Sequence, residues 1–339
     1  MERPIFAVLG ACTLAAAGPA QPAADPALLP YAEPGGRVDI GGRGIDLRCS
    51  GGGKGPVVVL MAGLGGFSSA WYKIQPAIAA RTRVCAFDTA GYGYSDPPPR
   101  PQSLSDVTND LHAVLAAAHV KAPYVLVAHS IAGVEARLYA LRWPNEVAGM
   151  VLVDSSFAGQ RLVMGTLPGF ATLDVETGVA KSLQCIERLS AGPADGPGYD
   201  ACVGKPGKDT PDALRAVWPK FYTAAGAANT VSLSFSLITP LYDEADHVPL
   251  GDRPLVVLTA GTTGPASSPA QADYLKAFRT IWLDRHEAFA RLSSRGVHRV
   301  IEGSGHTIQV DRPEAVLKAI GDVLDQLEPA KATKGKAAK

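Results

Sequence analysis

The chain alternates runs of buried-strand character with runs of helical spacing. Uninterrupted or nearly uninterrupted apolar stretches lie at PVVVLMA (56–62), at 83–88, at PYVLVAH (123–129), and at 147–154 and 255–260, and a further strand is read at 297–302. Stretches of this length, rich in valine and leucine, read as strands buried on both faces. Segment 104–118 instead places Val107, Leu111, Val114 and Leu115 on one helical face. Further helices are predicted over 131–142, 275–293 and 313–327, and a hairpin joins 37–40 to 44–49 around Gly41 and Gly42. Strands alternating with helices predict an α/β fold, a mostly parallel sheet with helices on both faces.

The alternation breaks once. Residues 157–251 contain no buried-strand run and are rich in Gly, Pro, Ala and Ser. They read as an insertion between two parts of a core, 37–156 and 252–328. A long insertion over the carboxyl ends of a parallel sheet is a natural lid.

Composition changes the picture at the two ends. The 339 residues carry 32 Lys and Arg against 32 Asp and Glu, and four of the lysines fall in the last nine residues. Residues 329–339 therefore read as a solvated basic tail. The remainder has no basic excess, which argues against a nucleic-acid partner. At the other end, Arg3 precedes an apolar run over 4–17, too short to span a bilayer and followed by small residues at Ala15, Ala16 and Ala17. Residues 1–24 are expected to be an export signal, with Ala20 or Ala24 as alternative cleavage sites, and 25–36 an extended Pro/Ala-rich linker. The sequence Leu9-Gly10-Ala11-Cys12 offers a second possibility, a lipid-anchored form. Either way the protein is expected outside the cytoplasm, periplasmic or secreted. Removing the signal leaves Cys49, Cys85, Cys185 and Cys202. An even number in an oxidising compartment implies two disulfides, in one of three pairings.

The candidate chemistry centres on VLVAHSIAGVEARLYA (125–140), where a buried strand ends at His129, Ser130 follows, and a helix starts. A serine on such a strained turn can expose its hydroxyl, provided that the positions two before and two after are tiny. They are Ala128 and Ala132. The helix N-terminus favours an oxyanion there. Read alone, Ser130 could equally be a helix N-cap. A second segment, SGHTIQVDR (304–312), puts His306 in a small-residue loop past the last strand, at the same sheet edge. A third, MAGLGGFSSAW (61–71), is a glycine turn after the first buried strand, able to aim backbone N–H groups inward. A dinucleotide-binding fingerprint would need glycine where Ser68 stands.

Taken with FDTAGYGYSDPP (87–98) and GSGHTIQVDRPEAV (303–316), these segments resemble the α/β-hydrolase superfamily in its lid-bearing, serine esterase-like branch. The likeness covers roughly 37–156 and 252–327. It implies an eight-stranded, mostly parallel sheet, Ser130 as nucleophile, His306 as general base, and an oxyanion hole from the N–H groups of Leu64 and Ile131. The departures are Ala62, where histidine is common, and Ala128 and Ala132, where glycine is common. The superfamily's strand order sets the strand ending at Cys49 beside the one holding Cys85, which favours a Cys49–Cys85 bridge and leaves Cys185–Cys202 within the lid. For the acid, the superfamily offers two places. Asp154 ends one strand and preserves the order Ser, Asp, His, whereas Asp273 is the first carboxylate after the next strand. Asp154 is preferred.

The function so implied is hydrolysis of a carboxylic ester or lactone, a small-molecule substrate with an apolar part, without cofactor or metal. Phe67, Trp71, Tyr92, Trp218, Phe221 and Tyr222 are candidates to line its pocket. His129, His112, His119 and His298 read as structural, and His286-Glu287 lacks the second histidine of a zinc motif. An amidase or aminopeptidase is an alternative, for which Asp243, Glu244 and Asp246 could hold a substrate amine. A binding protein that retains the fold without turnover is another. Haloalkane dehalogenases and epoxide hydrolases carry aspartate where Ser130 stands.

Overall fold

The computed structural model describes residues 24–53, 55–170, 175–191 and 202–328. Most of the expected export signal, including Cys12, and the basic tail lie outside the described residues.

Eight strands form one sheet: β1 (Arg37–Asp39), β2 (Gly44–Ser50), β3 (Val57–Met61), β4 (Val84–Phe87), β5 (Tyr124–His129), β6 (Val147–Val153), β7 (Leu255–Ala260) and β8 (Gly296–Ile301). Their order across the sheet is β1-β2-β4-β3-β5-β6-β7-β8. Only the β1/β2 and β2/β4 pairs are antiparallel. The valine-rich runs become β3 to β7 because every residue of these strands but Ala148 is buried. Each such side chain removed from water contributes roughly 1.5–3 kcal/mol.

Helices clothe both faces. On one side, α1 (Gln75–Ala79) and α11 (Pro313–Leu327) pack on Val58, Leu60, Val125, Val127 and Val151. On the other, α2 (Leu104–Ala117), α3 (Ala132–Arg142) and α9 (Pro269–Ala290) pack on Val59, Met61, Leu126 and Val257. Helix α9 starts six residues before the sequence pattern places it. Ser268 caps it by accepting from the Gln271 N–H, and Pro269 occupies the first turn. The first turns lack an amphipathic stripe, so the apolar pattern alone misses them.

Among the described residues, five α-helices lie between β6 and β7: α4 (Gln160–Gly165), α5 (Val175–Ser190), α6 (Asp212–Val217), α7 (Ala224–Ser236) and α8 (Asp243–Asp246). The short α10 (Ile308–Asp311) precedes α11. Helix α7 docks closely on the core. A Cβ at Gly226 would stand 2.5 Å from the Gly91 carbonyl oxygen. The buried Asn229 beside it donates to the Ala90 carbonyl and to Gln102 Oε1, and accepts from the Gln102 N–H.

Two disulfides close. Cys49 and Cys85 face each other across the β2/β4 ladder, and Cys185 joins α5 to Cys202. The expected extended linker is corrected in part: residues 26–32 form a 3-10 helix that buries Leu28, Tyr31 and Ala32. Tyr31 donates to Gln75 Oε1, and Arg48 lies over its ring. The apolar tyrosine body is the reason this Pro/Ala-rich stretch docks rather than staying in water.

Candidate active site

Ser130 sits between β5 and α3 with φ +55°, in the left-handed region that non-glycine residues rarely adopt. Backbone bonds hold it there. Its N–H donates to the Val153 carbonyl, and its own carbonyl accepts from the N–H groups of Gly133 and Ser156. Gly133 lets the turn close, because a Cβ there would fall 1.9 Å from Ser155 Oγ. Ala128 and Ala132 are fully buried, consistent with the need for tiny side chains around the elbow.

Asp154 is the second strained residue, at φ +45° immediately after β6. Its N–H donates to the Leu258 carbonyl of β7. One carboxylate oxygen, Oδ1, accepts from the Ala260 N–H at 2.9 Å and from the Trp282 indole N–H at 2.8 Å. The other, Oδ2, stands 2.6 Å from His306 Nδ1. With Oδ1 doubly occupied, the carboxylate cannot rotate freely away from the imidazole. Burial pushes the Asp154 acid up, but hydrogen bonds from His306 and Trp282 and the nearby His286 outweigh it, so the net shift is below the ordinary value. The Nδ1–H of His306 then points at Asp154, and Nε2 accepts from Ser130 Oγ at 2.9 Å. His129 anchors the same loop from behind. Its Nε2–H donates to the His306 carbonyl, and burial, with the charge of His306, holds its pKa down to about 4. Asp273 stands exposed on α9, away from this set.

A second histidine network backs Asp154. His286 Nε2 donates to the Ser155 carbonyl at 2.8 Å, so its Nδ1 accepts from Thr259 Oγ1. Thr259 in turn accepts from His298 Nε2, and His298 Nδ1 faces Glu287 at 3.0 Å. These contacts fix the turn after β6 and give His286 and His298 structural roles.

The glycine turn after β3 carries Leu64, whose side chain is partly exposed. Among the described residues, neither the Leu64 nor the Ile131 N–H donates to a protein acceptor. Both remain available to a ligand oxygen. The buried Asp88 supports this turn by accepting from the N–H groups of Ser68 and Tyr94, and burial together with the Asp46 charge lifts its pKa to about 7.

One cavity opens on the three residues, and a second lies beside the glycine turn. One, about 390 Å³, is lined by Ser130, Asp154 and His306 together with Leu275, Phe278, Arg279 and Trp282. The other, about 350 Å³, lies under the insertion against Gly65 and Phe67, with Tyr92, Phe221 and Tyr222 in its wall. Four of the six expected pocket aromatics thus line the second cavity. Trp71 does not: it is fully buried in the core on the α1/α11 face of the sheet. Trp218 packs behind the wall, against Phe67, Phe221 and Tyr222. The acidic trio suggested for an amine is also dispersed. Asp246 is buried in an ion pair with Arg137, while Asp243 and Glu244 face solvent, and none of the three lines either cavity. Sequence reasoning missed Arg279 and Trp282, which lie one turn apart on α9 and carry no motif.

Residues 56–182 match the family model described as alpha/beta hydrolase fold. An uncharacterised protein, C23C11.06c, of Schizosaccharomyces pombe is 44% identical over 82 residues, covering 24% of this chain and 15% of that one. The matches span less than half the length of the curated relatives that head the comparison. Among solved structures, Est816, described as an N-acyl homoserine lactone degrading enzyme, superposes with a TM-score of 0.57 at 19% identity, covering 85% of this chain and 99% of that one. A thermophilic esterase of Thermogutta terrifontis gives a TM-score of 0.56 at 19% identity, covering 86% and 97%. At these identities the structural likeness speaks for the fold.

Proposed function

We propose, from the premise that this chain is a member of the α/β-hydrolase superfamily, that it is a serine hydrolase cleaving carboxylic esters or lactones through an acyl-enzyme on Ser130. The observation that carries the reading is the continuous hydrogen-bonded line Ser130 Oγ, His306 Nε2, His306 Nδ1, Asp154 Oδ2, with both links under 3 Å. Ser130 Oγ attacks the ester carbonyl as His306 Nε2 takes its proton. Asp154 fixes the tautomer and stabilises the imidazolium. The Leu64 and Ile131 N–H groups receive the oxyanion. His306 gives its proton to the departing alcohol, and then draws one from the water that frees the acyl group.

The named relatives include an esterase and a lactone-degrading enzyme, chemistries that this arrangement suits. Dispersal of the acidic trio removes the feature that favoured an aminopeptidase. Residues 157–251 act as a lid that supplies the acyl pocket through Phe221 and Tyr222. The two disulfides fit an exported protein, since such bonds persist in oxidising compartments. A panel of short-chain esters, lactones and amino-acid anilides tests the reading. Wild type should turn over esters or lactones, and Ser130→Ala should lose that turnover. Anilide cleavage without ester cleavage would overturn it.

A further inference from the structure

The cavity that holds Ser130 and His306 also contains the cation Arg279, and the described residues offer it no counter-ion. Its Nη1 donates to the Ala260 carbonyl at the end of β7, which anchors the guanidinium at the cavity wall. Among the described residues, Nη2 and Nε make no hydrogen bond. The other charged groups of the lining are Asp154 and His306, and they are committed to each other. Asp154 has no spare oxygen, because Oδ1 already accepts from Ala260 and Trp282. The cavity therefore presents an anchored, incompletely used guanidinium beside an apolar wall of Leu275, Phe278 and Trp282.

The side of the ester that meets Arg279 follows from the chemistry. The departing alcohol must reach His306 Nε2 to take its proton. Ser130, His306 and Gly305 line the Arg279 cavity, whereas Gly65 and Phe67, from the glycine turn, line the other. With the alcohol oxygen at His306 Nε2, the orientation that sets the alcohol portion against Arg279 directs the acyl portion toward Gly65 and Phe67. A guanidinium recognises a carboxylate through paired, charge-assisted N–H donors.

We propose that Arg279 selects esters of hydroxy acids: an apolar acyl group on an alcohol whose far end bears a carboxylate. The claim rests on the serine hydrolase reading for its orientation, and the test separates the two. The probes are 4-butyryloxybutanoate and butyl butyrate, in which a carboxylate replaces a methyl group. Their binding is measured calorimetrically on full-length Ser130→Ala, and on the same protein with Arg279→Gln, which retains a donor for the Ala260 carbonyl. Turnover of both probes is followed in the wild type and in Arg279→Gln.

The carboxylate ester should bind about 10- to 100-fold more tightly than the neutral one, the range of a charge-assisted hydrogen bond. The advantage should shrink with added salt and collapse in the Arg279→Gln protein. The kcat/KM ratio of the two esters should fall by a similar factor in Arg279→Gln. Equal binding of the two probes, or a preference that survives Arg279→Gln, overturns the proposal even if both esters are hydrolysed. A binding preference lost with Arg279, with no turnover of either ester by the wild type, instead upholds the anion site and overturns the hydrolase reading.

Discussion

In the sheet, Val58, Val59 and Leu60 of β3 and Leu126 and Val127 of β5 have no exposed surface. In the insertion, Leu162, Phe235 and Leu241 are 58%, 46% and 73% exposed. The sheet is held by apolar burial on two faces. At its carboxyl edge, backbone bonds hold Ser130 and Asp154, and the His129 ring holds the His306 carbonyl. The insertion buries Leu214, Phe221, Leu233 and Val248 on the main core, and particular polar links add to that: Asn229 to Gln102 and Ala90, Asp246 to Arg137, and the Cys185–Cys202 bridge. The difference assigns the parts their roles. In the proposed function, chemistry sits on the buried sheet, and pocket shape on the insertion with its exposed apolar residues.

That division can be broken most severely at the acid. Asp154→Asn should lower kcat by about 10⁴-fold, as loss of a triad orienter does, with the chain still folded. Asp273→Asn should leave kcat within about twofold, since Asp273 is exposed on α9. Steady-state kinetics on both variants decides, and the reverse pattern would move the acid to Asp273.

The seam between the two regions is the next place to press. Arg137 donates to Ser155 Oγ, the Ser156 carbonyl and Asp246 Oδ1, with both partners of the ion pair essentially unexposed. Asp246→Ala strands a buried guanidinium and should cost about 3–5 kcal/mol. Asp325→Ala breaks an exposed pair with Arg81 and should cost at most about 1 kcal/mol. Denaturant unfolding of both variants measures the contrast, and similar small losses would mean that the seam contributes little.

A smaller effect sharpens the account of the acid. Trp282→Phe keeps an aromatic ring but removes the N–H bonded to Asp154 Oδ1. A hydrogen bond to a charged group contributes about 1.5–3 kcal/mol, so kcat should fall roughly 10- to 100-fold with little change in KM. An unchanged kcat would show that Ala260 alone orients the carboxylate.

Stability against pH gives the mildest test, and again separates groups by burial. Glu135 on α3 is buried, and burial raises its pKa from 4.5 to about 8. The folded state holds its proton more tightly than the unfolded chain, so this stability is complete below pH 4.5 and is lost as pH rises through 8. His129 and His286 act with the opposite sign. Burial lowers both to about 4, so their contribution is present above pH 6.5 and is lost as pH falls through 4. Glu135→Gln should flatten the decline of Tm between about pH 4.5 and 8 and leave the loss below pH 4 unchanged. A decline identical to wild type would place the alkaline loss elsewhere, with Asp88 the next group to change.

Legibility in the sequence follows the same division. Strands β3 to β7 fall within one residue of their apolar runs, because continuous burial writes itself into composition, whereas β8, with no fully buried residue, was placed by its position after the helix read at 275–293. Ser130 and His306 were readable because a strand–turn–helix junction and a small-residue loop are local signals. Trp71 was misplaced because an aromatic near the glycine turn can serve either face of the sheet, and composition does not say which. Residues 26–32 were read as linker because three buried residues, Leu28, Tyr31 and Ala32, in a short Pro-containing helix leave no period. Arg279, Trp282 and the Thr259–His286–His298 network were invisible because their partners lie up to 128 residues away and meet only when the sheet assembles.

The central claim is that Ser130 is a nucleophile activated by His306. A fluorophosphonate probe with site mapping by mass spectrometry tests it most directly, on the folded wild-type protein and on His306→Ala. The account predicts rapid, single-site modification of Ser130 in the wild type, and modification slowed by orders of magnitude in His306→Ala. An unmodified Ser130 in the folded wild type, or labelling at equal rate without His306, would contradict it.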